Sequence, residues 1–405
     1  MNVEELRAHF PILSSQVYGK PLVYLDNAAT SQRPREIEDV AKKMTFIANA
    51  NIHRAVHKLA GDATLEYEST RDAVKNYLNA RSREEIIFTS GTTASINLVA
   101  HCFTQAFISE GDEIIIAQSE HHSDIVPWQL AAHSVGAKIK VLPVDESGRL
   151  RVELLPELLT DKTRIMCVAH ISNVLGLTNP IKEIVSICHS VGCKVLTDGA
   201  QGIVHERVDV QDLDCDFYAF SGHKVYAQTG IGVLYGKKEL LDRMPPYMGG
   251  GEMIESVSFE NTTYAPLPAK YEAGTQNFAA VPTLKPALEL NKKILDDSQL
   301  AANQEAVVAY MLDKLSQIEG LRLYGAGENK IPLFSFSVEG VHHEDLALIL
   351  DKMGFAVRSG QMCAEPLMDR FGVTGMLRAS FAPYNTLDEA EAFITALKKA
   401  IMMLK

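Results

Sequence analysis

From Glu85 onward the chain alternates short apolar runs with helix-period stretches, and this alternation limits the fold more than any other feature. The strand candidates are 85–89, 113–117, 138–142, 164–169, 194–197, 216–220 and 231–235. Helical stretches at 92–108, 124–135, 151–159 and 181–191 separate most of them. Near-continuous apolar strands with helices between them describe a mostly parallel sheet covered on both faces. An α/β fold with a sheet of about seven strands flanked by helices is expected. Gly249-Gly250-Gly251 breaks the pattern, and helical segments then dominate from 282 to 317. Strands at 321–324, 333–338, 355–357 and 376–381, with helices at 343–353 and 387–404, make a smaller α+β domain. A chain of 405 residues exceeds one ordinary core. The expected division is an N-terminal segment, 1–20, packing with the small domain, a large domain over 21–285 and a small domain over 286–405. Ahead of the alternation come a helix at 3–10 stopped by Pro11, a strand at 22–25, and helices at 34–49 and 60–79.

The ends of two strands carry the first chemistry. Strand 194–197 runs into Asp198, with Gln201 three residues on, and strand 217–220 runs into Ser221-Gly222-His223-Lys224. Neighbouring strands deliver these side chains to one sheet edge, the edge where open α/β sheets bind ligands. A buried lysine with a lowered pKa suits carbonyl chemistry, and a carboxylate facing it suits a protonatable ring nitrogen. Pyridoxal phosphate needs both. Either residue alone reads equally well as a solvated edge side chain; the set points to the cofactor.

Gly91-Thr92-Thr93 opens a helix after strand 85–89, and free N–H groups there make a phosphate cradle. Plain N-capping by threonine is the alternative. Neither a Walker A lysine nor a Gly-x-Gly-x-x-Gly accompanies it, which disfavours a nucleotide. His121 and His122 follow strand 113–117, where an imidazole can stack on a pyridine ring or move protons; exposed or structural histidines are the alternative. Adjacent histidines without Cys or carboxylate ligands are poorly spaced for a metal, and no metal is expected. Asn173 ends strand 164–169 and offers a donor and an acceptor. Arg378 lies in an apolar strand, where it needs a substrate carboxylate or an internal salt bridge. Cys363 falls on what reads as an exposed loop after strand 355–357, where a thiol is a liability unless used. The other five cysteines sit in apolar strands or helices and read as core.

Charge and composition exclude several classes. The net charge is −12 with no long basic run, against a nucleic-acid partner. No apolar segment approaches the length of a membrane span, and the start lacks the pattern of a secretory signal. Six cysteines are thin for a disulfide framework. A cytoplasmic protein is expected.

Taken together the motifs resemble the class V aminotransferase family of fold-type I pyridoxal-phosphate enzymes, and within it the group II cysteine desulfurases of the SufS/CsdA type. The resemblance runs nearly end to end. It rests on Asp26-Asn-Ala-Ala-Thr30, Asn51-Ile-His-Arg54, Gly91-Thr-Thr93, Glu120-His-His122, Ser172-Asn-Val-Leu-Gly176, Asp198-Gly-Ala-Gln201, Ser221-Gly-His-Lys224, Glu272-Ala-Gly-Thr275, Arg358-Ser-Gly360 with Cys363-Ala364, and Arg378-Ala-Ser380 with Tyr384-Asn-Thr386. The short cysteine-bearing loop is the group II form.

The resemblance implies the following roles. Lys224 takes the cofactor's aldehyde and shuttles protons, Asp198 pairs with its ring nitrogen, Gln201 with its ring hydroxyl, and His121 stacks on the ring. Thr92, Thr93, Ser221 and His223 hold the phosphate, joined by Thr275 from the second subunit of a homodimer. Ala28, Asn173 and Arg378 meet the substrate, with Arg358 near the cysteine loop. Cys363 takes sulfur from L-cysteine as a persulfide, L-alanine leaves, and an acceptor protein of the SufE/SufU kind collects the sulfur for iron–sulfur cluster assembly. Selenocysteine lyase or another class V reaction, and a non-catalytic scaffold, are the rival readings. In one branch of the family the acceptor carries zinc, which would give His342-His343 a partner; solvated histidines are the alternative. Three positions depart from the family's pattern: Met362 where a histidine usually precedes the cysteine, Ala227-Gln228 for Gly-Pro, and Gln276 for Pro. The first puts an imidazole's role beside the thiol in question, and the others are expected to loosen two turns.

Overall fold

A computed structural model describes all 405 residues. Thirteen strands build its two main sheets and a small pairing beside them: β1 (Val23–Tyr24), β2 (Ile86–Thr89), β3 (Glu113–Ala117), β4 (Lys138–Leu142), β5 (Thr163–Ala169), β6 (Lys194–Asp198), β7 (Phe217–Ser221), β8 (Gly232–Gly236), β9 (Leu321–Tyr324), β10 (Leu333–Val338), β11 (Phe355–Ala356), β12 (Arg358–Gly360) and β13 (Met376–Ser380). The seven expected strands of the large sheet all form, in the order β2-β8-β7-β6-β5-β3-β4. Every pairing is parallel except those of β8, which runs antiparallel to both β2 and β7.

Why these strands read as unbroken apolar runs is plain from their faces. Side chains alternate across a strand. Tyr218 and Phe220 enter one core with Met166, Val168 and Val195. Phe217 and Ala219 enter the other with Ile165, Cys167 and Leu196. Helices Lys58–Tyr77, Ile181–His189 and Leu284–Leu295 cover the first face; helices Thr92–Phe107 and His122–Val135 cover the second.

The second sheet is antiparallel, ordered β9-β10-β13-β12. Helices Ser298–Ser316, His343–Lys352 and Leu387–Leu404 pack on its apolar face. Two placements differ from the sequence expectation. β1, expected to open the large domain, pairs in parallel with β11, and Val23 and Leu25 join the core of the second sheet. Both side chains are apolar and both find Phe355 and Phe381 in that core, so the packing carries the chain into the large sheet only after Asp26. Residues 1–20 meet both units. Leu6 and Phe10 sit in the large core, with the Phe10 ring 4.6 Å from Tyr384 and 5.7 Å from Tyr226, while Arg7 pairs with Glu389 at 2.9 Å on the last helix. A hairpin of Ile254–Val257 and Thr262–Tyr264, not foreseen in that polar stretch, stands out from the body with Phe259 fully exposed at its turn.

Candidate active site at the carboxyl edge of the large sheet

The single antiparallel strand shapes the site. β8 lies between β2 and β7, so Gly232 faces Thr89 on one side and Ser221 on the other. A Cβ on Gly232 would stand 2.4 Å from the Gly91 Cα, so only glycine lets the start of helix Thr92–Phe107 close against the end of β7. Ser221 Oγ then accepts the Thr92 N–H at 2.8 Å and lies 2.7 Å from the Thr92 hydroxyl. Thr93 Oγ1 is 2.7 Å from Ser123 Oγ, in the first turn of helix His122–Val135. Two helix N-termini with four hydroxyls thus meet at one point, the donor set an anion needs. His223 adds an imidazole whose pKa is pulled down to about 4, by burial first and by Lys224 and Arg33 next. It is neutral at pH 7 and offers a hydrogen bond rather than a charge.

Asp198 ends β6 and its Oδ1 accepts the Ala200 N–H at 2.7 Å. Lys224 follows β7 in the turn Gly222–Lys224 and points into the same cavity. Burial holds its pKa below the ordinary lysine value, Asp198 opposes that shift, and Arg378 adds to it. His121 caps helix His122–Val135, its Nδ1 accepting the Ser123 N–H at 3.0 Å, so the ring proton is on Nε2. Its pKa falls to about 4 through burial, with Lys224 the next cause.

Behind Asp198 lies a feature the sequence reading missed. Glu120 and Asp124 are fully buried, and burial together with the Asp198 charge raises both carboxyls well above the usual range. Cys167 S–H donates to Asp124 Oδ1 at 3.4 Å. Asp124 Oδ2 has no partner of its own, and burial first and the nearby Asp198 carboxyl next raise the Asp124 pKa, which favours its protonated form. Asp198 is thus backed by a neutral acid. Its depth, which no local pattern reveals, is what sets its state.

Opposite the cradle, Arg378 is 2% exposed. Its Nη1 donates to the Asn173 carbonyl at 2.8 Å, its Nη2 to Asp26 Oδ1 at 3.0 Å, and its Nε has no partner. Arg358 Nε lies 3.3 Å from the same Asp26 oxygen. The internal salt bridge therefore exists, yet one carboxylate faces two guanidiniums and a positive charge is left over at the cavity wall. Asp26 had no assigned role from sequence.

Cys363 follows β12 and is the one exposed cysteine; the other five are buried. Burial pushes the Cys102 and Cys215 thiols up to about 12. The Cys363 backbone is left-handed, φ 57°, and so is that of Met362, φ 54°. The Met362 carbonyl accepts Asn173 Nδ2 at 2.9 Å, and the Cys363 carbonyl accepts the His122 N–H at 2.7 Å. The Met362 side chain is 5% exposed and packs with Leu367, Met368 and Met376. Where an imidazole was in question, the structure has an apolar plug.

The expected site residues, Ala28 and Arg358 included, line one cavity of about 210 Å³, except Gln201 and Thr275. Gln201 stands behind the wall, its Nε2 donating to the Ala28 carbonyl at 2.8 Å. Thr275 is exposed and outside this cavity. The two turns expected to loosen have replacement ties. The Gln276 side chain donates back to the carbonyls of Ala273 and Gly274 at 3.2 and 3.3 Å. Gln228 has the N–H that proline lacks, and it donates to Thr283 Oγ1 at 3.4 Å. The preceding loop is tied by a buried pair, Glu272 with Arg71 at 2.7 Å. His342 caps the helix His343–Lys352, its ring stacked 4.4 Å from that of His343.

The model of the aminotransferase class-V family matches residues 23–393. The chain belongs to this family. It is 44% identical over 404 residues to a probable cysteine desulfurase of Vibrio cholerae, each covered in full. It is also 44% identical to a cysteine desulfurase of Escherichia coli, over 100% of this chain and 99% of the other. Among solved structures it is similar to the Escherichia coli cysteine desulfurase CsdA, with a TM-score of 0.91, 41% identity and full cover of both chains. A cysteine desulfurase of Thermococcus onnurineus NA1 in its apo form gives a TM-score of 0.91 at 33% identity, over 99% of this chain and 98% of that one. The cofactor of this class V family member is pyridoxal phosphate. The residues present fit it: a hydroxyl and N–H cradle for a phosphate, a carboxylate for a ring nitrogen, and a lysine of lowered pKa for an aldehyde.

Proposed function

We propose that this chain is a pyridoxal-phosphate-dependent cysteine desulfurase, which turns L-cysteine into L-alanine and leaves the sulfur as a persulfide on Cys363. The single observation that carries the reading is that one cysteine of six is exposed, and that it stands on the rim of a cavity lined by Lys224, Asp198 and Arg378. A plain aminotransferase has no use for that thiol.

When bound, pyridoxal phosphate supplies the electron sink that weakens the bonds at the substrate's Cα and Cβ. The chain's residues do the rest. Ser221, Thr92, Thr93 and His223 would hold the phosphate and Asp198 the ring nitrogen, while Gln201 braces the wall from behind through the Ala28 carbonyl. Lys224 would hold the aldehyde and afterwards move protons, a task suited to an amine whose pKa burial lowers. His121, neutral, lies against the ring. Arg378 and Asn173 take the amino-acid end, the Arg378 guanidinium offering its charge to the substrate carboxylate at the cavity wall. Ala28 keeps that wall small. In the transfer the Cys363 sulfur bonds to the substrate sulfur as the Cβ–S bond breaks. The bonding pair stays with Cβ, a proton completes alanine, and one thiol plus one cysteine become one persulfide plus one alanine.

The working unit we propose is a homodimer. Phe46, Ile47, Val56, Leu59 and Leu65 are exposed apolar side chains between residues 46 and 65, and Thr275 is exposed and outside its own chain's cavity. Site of action is the cytoplasm; no helix is long and apolar enough to cross a membrane. An acceptor protein of the SufE/SufU kind takes the sulfur toward iron–sulfur clusters. L-Selenocysteine is a second substrate, because it differs by one atom and presents the same amino-acid end.

Incubating the chain with L-cysteine, with and without reductant, and measuring both alanine and the mass on Cys363 tests the reading. Alanine with one added sulfur on Cys363 is expected, and Cys363→Ala should yield neither. Equal sulfide release by Cys363→Ala would overturn it.

A further inference from the structure

We propose that His122 is a positioning residue for the Cys363 thiol, its neutral ring acting as a latch on the loop that carries the sulfur. The proposal rests on the reading of Cys363 as the sulfur-accepting group.

Two consecutive non-glycine residues, Met362 and Cys363, hold left-handed backbone at φ 54° and 57°. Such backbone is strained for a residue with a Cβ and persists only where the surroundings over-determine it. Three ties do so here. Asn173 holds the Met362 carbonyl at 2.9 Å while the Met362 side chain is plugged into an apolar cluster. The backbone N–H of His122 holds the Cys363 carbonyl at 2.7 Å. Two residues further on, the Glu365 N–H donates to His122 Nε2 at 3.1 Å. His122 therefore grips the chain at two points just after the thiol, once with its main chain and once with its ring, while Asn173 holds the residue before it.

The ring is not part of the cavity wall. Its contact can be removed by a side-chain change that leaves the His122 main-chain tie and the Asn173 tie in place. Accepting at Nε2 requires a neutral ring with its proton on Nδ1. The tie is made to the first residue of helix Glu365–Phe371, so the ring fixes where the loop ends and that helix begins.

The experiment compares His122→Ala, His122→Phe and His122→Gln in the full chain. Ala removes the acceptor, Phe keeps the bulk without it, and Gln restores an acceptor oxygen. The first readout is the alkylation rate of Cys363 by iodoacetamide in the absence of substrate. For Ala and Phe it is expected to rise about fivefold as the loop opens locally. The second readout splits kcat from KM for L-cysteine. A misplaced thiol is expected to lower kcat about tenfold to a hundredfold with KM within about twofold. Gln is expected to recover both rates to within about threefold of wild type. Wild-type alkylation in the Ala and Phe variants, or Gln behaving as Phe does, would overturn the latch. The alkylation readout needs no turnover. If it shifts as expected while the wild-type chain makes no alanine, the latch stands and the desulfurase reading falls.

Discussion

Arg378 holds Asp26 at 3.0 Å from a position where almost none of its own side chain meets solvent. Asp26 is shared with Arg358, so the pair does not cancel and a carboxylate is still wanted. Replacing Arg378 by Lys keeps a charge but loses the planar fork. The expected result is a KM for L-cysteine raised about tenfold to a hundredfold, the loss of one charged hydrogen bond of about 1.5–3 kcal/mol. Steady-state kinetics with L-cysteine check it; an unchanged KM would remove Arg378 from the substrate site.

The Arg71–Glu272 pair is a structural tie. Arg71 and Glu272 are both buried, and Glu272 also takes the Phe88 N–H at 2.8 Å and the Tyr67 hydroxyl at 3.1 Å. Removing Arg71 strands the buried Glu272 charge, and removing Glu272 leaves the buried Arg71 with Glu68 alone, 3.0 Å away. Glu272→Ala is expected to destabilise the chain by about 3–5 kcal/mol, read as a lower denaturant midpoint, and Arg71→Ala by a similar amount.

Asp124→Asn keeps a donor toward Asp198 and removes a proton the folded chain must hold. A carboxyl raised in the folded state costs stability as pH climbs above its unfolded pKa. The variant should match wild type in stability near pH 4 and exceed it increasingly toward pH 8. Melting temperatures across that range give the answer, and a difference independent of pH would mean that Asp124 is ionised.

His205 works in the opposite sense. Burial lowers its pKa to about 4. Its contribution is fully present above the unfolded histidine pKa of about 6.5 and is lost as pH falls through 4. From the shift, the loss by pH 4 is at most about 3 kcal/mol. His205→Gln should flatten the acid side of the stability profile between pH 6.5 and 4, measured by urea unfolding.

Much of this was legible in the sequence because it is local. β2 to β8 announced themselves through runs such as Phe217–Phe220, apolar on both faces, and the strand ends named Asp198, Ser221 and Lys224 directly. β1 could not be placed, since Val23 and Leu25 are equally apolar against either sheet and the choice depends on Phe355, over 300 residues away. Glu120 and Asp124 stayed hidden because a carboxyl's state follows its depth and not its neighbours in the chain. Met362 read as a missing imidazole until the pocket formed by Leu367, Met368 and Met376 gave it a place. The His122 ring contact needed the fold to bring residue 365 next to residue 122.

Five thiols sealed in the core and one on the rim also set a stoichiometry. The chain has no internal chain of thiols along which sulfur could be handed, and nowhere to store a second atom. Under the proposed reading, a persulfide on Cys363 is the one unit of cargo a chain carries, and its next turnover waits on an acceptor to unload it.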